Sequence, residues 1–356
     1  MRFIPITHIK PGMLLAKSIY NKNGSLLLRA GTKLKSHYVI KMNEIGILGA
    51  YIEDEISKGL EIDSVISDEL RMKAVDKVRD VFLDAETGRS TVDQNMSQAN
   101  ELVDNIIDEL IDNKHIMVNM VDIKSYDEYT YQHSVNVCVL SIIMGISLGF
   151  TREQLTNLGM SALLHDIGKI FIDIDLLNKV EPLTDAEMDI MRGHSLDGYR
   201  YIKYEFDFPF QTNIGILQHH EKYDGTGYPR NKEGEDISLF ARIIAIADVY
   251  DALISNRYYK KAVPPSEAME YIMGGAGAHF DYDLVNIFVR KVALYPIGAG
   301  VKLSNGDVGI VAKNYPDAPN RPKIRLLDKD CKDYTYIDLK NDFTTKDVTV
   351  LKIVNI

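Results

Sequence analysis

The sequence predicts a mainly α-helical protein with a small β-rich segment at each end. Three observations carry this. Apolar residues recur at helical spacing through the middle of the chain. Both ends instead show short apolar runs split by Pro-Gly and Asn-Gly turn signals. The 356 residues, 46% hydrophobic and 26% charged, give ample chain for a buried core and exclude wholesale disorder. A net charge of −10 argues against a non-specific nucleic-acid binder.

Residues 1–60 form the expected head. Pro11-Gly12, Asn23-Gly24 and Gly31 punctuate it, and Asn21-Lys22-Asn23-Gly24 before Ser25-Leu26-Leu27-Leu28 reads as a hairpin. Residues 61–118 read as an acidic helical connector. Ile62, Ile66, Leu70, Ala74, Val78 and Phe82 recur every fourth residue, Thr87-Gly88-Arg89-Ser90 breaks the pattern, and Ala99, Leu102, Val103, Ile106, Ile107 and Leu110 carry a second stripe to Asn113. The heptads are too few for a dimer-forming coiled coil, so these helices should pack on the main domain. Residues 1–52 hold 8 basic residues and the acid Glu44, whereas residues 53–128 hold 20 acidic and 8 basic ones. Opposite signs could dock the head on the connector, although exposed pairs contribute only about 0–1 kcal/mol each.

Residues 119–296 read as nearly all helix. Thr151 and Thr184 are capping signals, Pro264-Pro265-Ser266-Glu267 opens a helix, and Asp281 to Leu294 supplies the last one. Residues 297–356 form a β appendage: VKLSNGDVGIVA has strand–turn–strand form, and KIRLLDKD and VTVLKIVNI are β-prone. Cys138 and Cys331 make no disulfide framework, and MRFIPITHIKPG has no signal-peptide core, so a cytoplasmic protein is expected. The longest uncharged run, Ser134 to Phe150, is short for a membrane span and contains Asn136, so it reads as a buried helix.

The chemistry concentrates in the helical region. His133, His165, His194, His219 and His220 fall there, with Asp166 and Asp248. Singly, each has a bland explanation as a core or surface group, and Glu221 after the histidine pair could mark a solvated helix end. Jointly, burying these imidazoles and carboxylates without partners would cost several kcal/mol, and a shared metal cluster removes that cost. Imidazole plus carboxylate suits iron, manganese, nickel or zinc, and Asp166 is the natural bridge between two metals. Two metals about 3.5–4 Å apart activate water and clamp a phosphoryl group. Lys169, one turn beyond Asp166, can place a positive charge beside a phosphate. In HHEKYDGTGYP, Asp224, Gly225, Gly227, Tyr228 and Pro229 form a loop that presents the tyrosine beside the histidine pair. Arg257-Tyr258-Tyr259-Lys260 offers two cations interleaved with aromatic rings, suited to phosphates and a stacked base.

In this set of motifs — HSVNV, LLHDIGKI, the histidine of RGHSLDGY, HHEKYDGTGYP, ARIIAIADVYDAL and SNRYYK, in order — the chain resembles the HD-GYP phosphodiesterases of the HD superfamily over about residues 120–293. The resemblance implies an HD-type helical metal-dependent phosphohydrolase domain that hydrolyses the bacterial second messenger cyclic di-GMP to pGpG, GMP or both through a metal-bridging hydroxide. It implies His133, His165, Asp166, His194, His219, His220 and Asp248 as ligands, Asp166 and Lys169 as catalytic, and Lys169, Tyr228, Arg257 and Lys260 as substrate contacts. Iron or manganese is the favoured metal. Family members with three metals carry a glutamate where Tyr129 stands here; Glu128 is adjacent but points about 100° away on a helix, so two metals are expected. Expected partners are cyclic di-GMP, with diguanylate cyclases, other signalling proteins and a second copy of the chain as candidates. The rival readings are a low-turnover cyclic di-GMP receptor and an HD-type phosphohydrolase of another nucleotide, such as cyclic GMP-AMP.

Overall fold

The computed structural model describes the chain except residues 21–25, 46, 48, 63, 114–116, 120–128, 256–261, 328–334 and 355. Its N-terminal part is a three-stranded antiparallel sheet in which β1 (Arg2–Pro5) and β2 (Leu14–Leu15) flank a later strand, Gly49–Glu53. Between them, β3 (Ile19–Tyr20) pairs with β4 (Leu26–Leu28), with Ile19 opposite Leu28; the turn itself lies outside the described residues. Helix α1 (Ser36–Glu44), not expected from the turn-rich sequence, precedes the central strand β5 (Gly49–Glu53). It forms because Tyr38, Val39 and Met42 fall on one helical face and pack on the head's own core of Ile4, Leu15, Leu34 and Ile52.

The connector helices are α2 (Asp68–Thr87) and α3 (Val92–Asp112). The first starts later than the Ile62 periodicity suggests, because the Ser67 hydroxyl caps it by accepting from the Leu70 amide. Ile62 and Ile66 are buried ahead of the helix. Gly88 ends it in the left-handed region at φ 63°. Both helices share one continuous core with the rest of the helical region, from Val65 to Val292.

At the centre of that core lie α4 (Tyr129–Ser147) and, much later in the chain, the helix Leu239–Ile254, each buried along most of its length. Between them come α5 (Arg152–Leu163), a 3-10 turn at Ile167–Phe171, α6 (Ile174–Leu177), α7 (Asp185–Arg192), α8 (His194–Glu205) and α9 (Phe210–Gln218), before α10 (Leu239–Ile254). Thr151 with Gln154, and Thr184 with Glu187, form complete capping boxes. Helices α11 (Pro265–Gly274) and α12 (Tyr282–Lys291) complete the bundle, the latter capped by Asp281. Among the described residues no helix is long and apolar enough to cross a membrane.

The C-terminal part is a five-stranded antiparallel sheet of order β10-β6-β7-β8-β9, formed by β6 (Gly300–Leu303), β7 (Val308–Lys313), β8 (Lys323–Leu326), β9 (Tyr336–Asp338) and β10 (Val350–Ile353). The Asn305-Gly306 turn joins β6 to β7, with Gly306 at φ 94°. Two arginines tie this sheet to the head. Arg325 Nη1 donates to the carbonyls of Ile56 and Lys58 at 3.1 and 2.7 Å. Arg2 pairs with Asp54 at 2.8 Å and donates to the Ile356 carbonyl. Towards the connector, Lys17 reaches Asp68 at 3.9 Å.

Candidate metal centre

Helix ends place three of the histidines. An α-helix leaves its last carbonyls without intrahelical partners. His165, just past α5, bonds the Ala162 carbonyl; His194 bonds Met191 in the last turn of α7; His219 bonds Ile216 in the last turn of α9, each through Nδ1 at 2.7 Å. A carbonyl can only accept, so Nδ1 carries the proton and the neutral ring presents the lone pair of Nε2. His133 sits inside α4, and there the carboxylate of Asp251 takes the Nδ1 proton at 2.7 Å, to the same effect.

The Nε2 atoms converge with two carboxylates. Asp166, His194, His219 and His220 offer donor atoms within 4.8 Å of one another, and so do His133, His165 and Asp248. Asp166 faces both groups: its Oδ1 lies 3.5 Å from His194 Nε2, while Oδ2 lies 3.3 Å from His165 Nε2 and 3.9 Å from His133 Nε2. Asp248 is shared similarly, with Oδ1 3.0 Å from His133 Nε2 and Oδ2 3.9 Å from His220 Nδ1.

The donor set fits metal ions. His194 Nε2 and His219 Nε2 approach to 3.3 Å with both protons held elsewhere, so two lone pairs oppose each other. His165 Nε2 is buried with no hydrogen-bond partner among the described residues. Buried lone pairs beside ionised carboxylates are costly until a cation satisfies them. The two clusters therefore suit a binuclear metal site.

The electrostatics agree. Burial, then the neighbouring His220, holds His219 well below the ordinary imidazole value. Burial and then His194 push His220 down to about 3. Burial alone would raise Asp166, but the Lys169 ammonium and His165 hold it well below the carboxylate range. Asp248 is likewise held low against its burial, chiefly by His133. His133 moves the other way: burial would lower it, and the carboxylates of Asp248 and Asp251 override that. Carboxylates held low beside the depressed imidazoles of His194, His219 and His220 make an electronegative cage.

One edge of the cage is open. The His220 side chain is 25% exposed, and its ring lies 4.8 Å from that of Tyr228. The guanidinium of Arg192 stands 5.7 Å above the Tyr228 ring. Lys169, 29% exposed, bonds Asp166 Oδ2 at 2.6 Å. The loop holding Tyr228 is fixed from below by Glu221, which accepts from the amides of Arg230 at 2.7 Å and Lys232 at 3.1 Å. Glu221 is only 3% exposed, which corrects the solvated-helix-end reading. Asp224 accepts from the Thr226 amide and hydroxyl, Gly225 takes φ 77°, and the Tyr228–Pro229 bond is cis. Gly227 is obligatory, since a Cβ would lie 2.2 Å from the Lys222 nitrogen.

The structure thus brings together His133, His165, Asp166, His194, His219, His220 and Asp248, with Lys169 and Tyr228 at the rim. Arg257 and Lys260 lie outside the described residues, as does Glu128. Sequence reasoning missed Asp251, whose signal was its i+3 spacing from Asp248 on α10. It also missed Gly168, where a Cβ would lie 1.9 Å from the His194 carbonyl oxygen and 2.5 Å from the Gly198 nitrogen. That close approach seats the turn carrying Asp166 against the helix carrying His194.

Residues 115–284 match the HD domain family, and residues 300–355 match the KOW domain associated with HD domains. The cyclic di-GMP phosphodiesterase PA4108 of Pseudomonas aeruginosa is 36% identical over 247 residues, 69% of this chain and 59% of that protein. The chain is an HD-domain protein related to the HD-GYP cyclic di-GMP phosphodiesterases. The 3′3′-cGAMP-specific phosphodiesterase 1 of Vibrio cholerae is 32% identical over 193 residues, 53% of this chain and 43% of that one. This HD-domain chain therefore spans about half the length of these curated relatives. The solved structure of Bd1817, an HDG"Y"P protein from Bdellovibrio bacteriovorus, shares the fold at TM-score 0.50 and 16% identity, over 80% of this chain and 97% of that one.

Proposed function

We propose that the protein is a metal-dependent phosphodiesterase that hydrolyses cyclic di-GMP to pGpG, GMP or both. The observation that carries this is the pair of donor groups facing a shared carboxylate, with the Tyr228 loop at their open edge. One metal would be held by His194, His219 and His220, the other by His133, His165 and Asp248, and Asp166, which faces both groups, would be shared between them. Divalent transition metals there, iron or manganese before nickel or zinc, would supply Lewis acidity towards phosphoryl oxygens and lower the pKa of water. Two ions are proposed, because the sequence has Tyr129 where three-metal members of the resembled family carry a glutamate.

The chain's own groups do the rest. Lys169 would leave Asp166 in part to meet a phosphate oxygen and offset developing charge. At the mouth, Tyr228 and the Arg192 guanidinium that stands over its ring would together meet a base of the substrate. Arg257 and Lys260 would hold the second phosphate or base. The substrate argues for a cytoplasmic setting.

The relatives named for cyclic di-GMP and for 3′3′-cGAMP make both dinucleotides necessary probes. Anaerobically purified protein should carry about two transition-metal ions per chain by mass spectrometry and convert cyclic di-GMP to linear products by chromatography. Absence of bound metal sinks the reading. Tight binding without turnover would make the protein a receptor, and faster cleavage of 3′3′-cGAMP would reassign its substrate.

A further inference from the structure

The hydrogen bonds behind His133 run out of the HD domain. Asp251, fully buried on α10, takes the His133 Nδ1 proton on Oδ2 and the Asn136 side-chain amide on Oδ1, the latter at 2.8 Å. Asn136, also fully buried, has its own Oδ1 turned to Arg71 Nη1 at 2.7 Å. Arg71 lies on α2, outside the 115–284 segment that matches the HD family. Resting on the metal-site reading above, we propose that Arg71 is a positioning residue for the metal group of His133, His165 and Asp248, and that α2 is thereby part of the metal centre's support.

Polarity fixes this chain of contacts. An asparagine amide has two ends of opposite character and nearly equal shape, so its orientation is set by its neighbours. A guanidinium only donates, and a carboxylate only accepts. Arg71 on one side and Asp251 on the other therefore select one orientation, with oxygen towards Arg71 and nitrogen towards Asp251. Gln132 Nε2 supports the same orientation more weakly, at 3.3 Å. With Arg71 removed, the Asn136 oxygen keeps only the weaker Gln132 donor, and the side chain loses the anchor that holds its amide nitrogen on the Asp251 carboxylate. That carboxylate then shifts, and with it the hydrogen bond fixing the tautomer and tilt of His133. Lysine, a point donor without the planar fork, would restore part of this constraint. Outer partners of this kind are typically worth about 10–100-fold in metal affinity. Linkage makes the effect reciprocal: if α2 supports the metal site, metal binding must protect α2.

Manganese titration of full-length apo protein by calorimetry reads this without any assay of turnover. Native protein should bind two ions. Arg71→Ala should weaken one of them roughly 10–100-fold and leave the other near its native value, with Arg71→Lys between. Hydrogen exchange on native protein supplies the second measurement, independent of whether any variant folds: residues 68–87 should exchange more slowly with manganese than without. Two native-like affinities in a folded Arg71→Ala protein, or α2 exchange indifferent to manganese, would overturn the proposal while leaving the metal site standing. Failure of native protein to bind manganese at all would overturn the metal-site reading itself, and this inference with it.

Discussion

Gly168→Ala changes no donor atom, yet it should damage the centre. The ideal Cβ at this position lies 1.9 Å from the His194 carbonyl oxygen and 2.5 Å from the Gly198 nitrogen, both backbone atoms with no rotamer to yield. Real Cβ contacts stay beyond 3.0 Å, so the turn Ile167–Phe171 and α8 must separate by roughly 1 Å. Overpacking of this kind costs about 1–3 kcal/mol. The larger effect is on geometry. Asp166 immediately precedes the turn and His194 opens α8, and their facing atoms now stand 3.5 Å apart. Parting them by about 1 Å takes Asp166 out of reach of one metal group, and misplacement on that scale costs on the order of 10²-fold in turnover. Calorimetric metal titration, thermal melting and turnover should be measured together. Gly274→Ala is the matched control, since a Cβ there meets nothing within 4 Å and no positive φ is required. A Gly168→Ala protein with native metal affinity, melting temperature and turnover would refute the close approach and the role assigned to it.

Asp166→Asn should abolish turnover and reduce metal loading, because a neutral amide bridges two cations poorly; full loading by mass spectrometry would remove Asp166 from the bridge. Lys169→Ala should keep the metals and lower turnover at saturating substrate; wild-type turnover would show that its charge does not serve the phosphate. Glu221→Ala leaves the Arg230 and Lys232 amides without their buried acceptor, a cost of about 1–3 kcal/mol, and should raise KM with metal loading unchanged. Unchanged exchange of the 228–232 amides in that variant would show that Glu221 does not hold the loop.

Much of the fold was legible because its local rules were obeyed. Thr151 and Thr184 sit three residues before Gln154 and Glu187, and both capping boxes formed. The stripe from Ala99 to Leu110 became the inner face of α3. Where local rules misled, a neighbouring group decided: Ser67 capped α2 and left Ile62 and Ile66 buried outside it. The converging histidines and aspartates were legible as residue types, since few other arrangements could bury so many imidazoles. Their supports were not. That Nδ1 of three histidines would cap the ends of α5, α7 and α9 depends on where those helices stop, and helix ends are the least determined feature of a sequence. The value of Gly168 depends on a helix some thirty positions away in the chain meeting it face to face.

The joining of the chain ends shows the same limit for charge. Segment charges of opposite sign suggest docking of the head on the connector, and Lys17 does reach Asp68, at 3.9 Å, with Asp68 largely exposed. Pairs of that kind are screened by salt and contribute little. The arginines that join head to C-terminal sheet work differently. Arg325 and Arg2 are buried, and much of what they meet is backbone carbonyl oxygen, at Ile56, Lys58 and Ile356. A planar fork of donors satisfies several such acceptors at once in fixed directions. The contacts fall on residues 54–58, a short way before α2 begins at Asp68. From there α2 carries Arg71, and Arg71, Asn136, Asp251 and His133 follow in direct hydrogen-bonded succession. The head and the C-terminal sheet are therefore both in contact with the segment leading into α2, the helix proposed to support the metal group of His133. Net charge, being a sum, cannot carry that information; it depends on which carbonyl each arginine reaches.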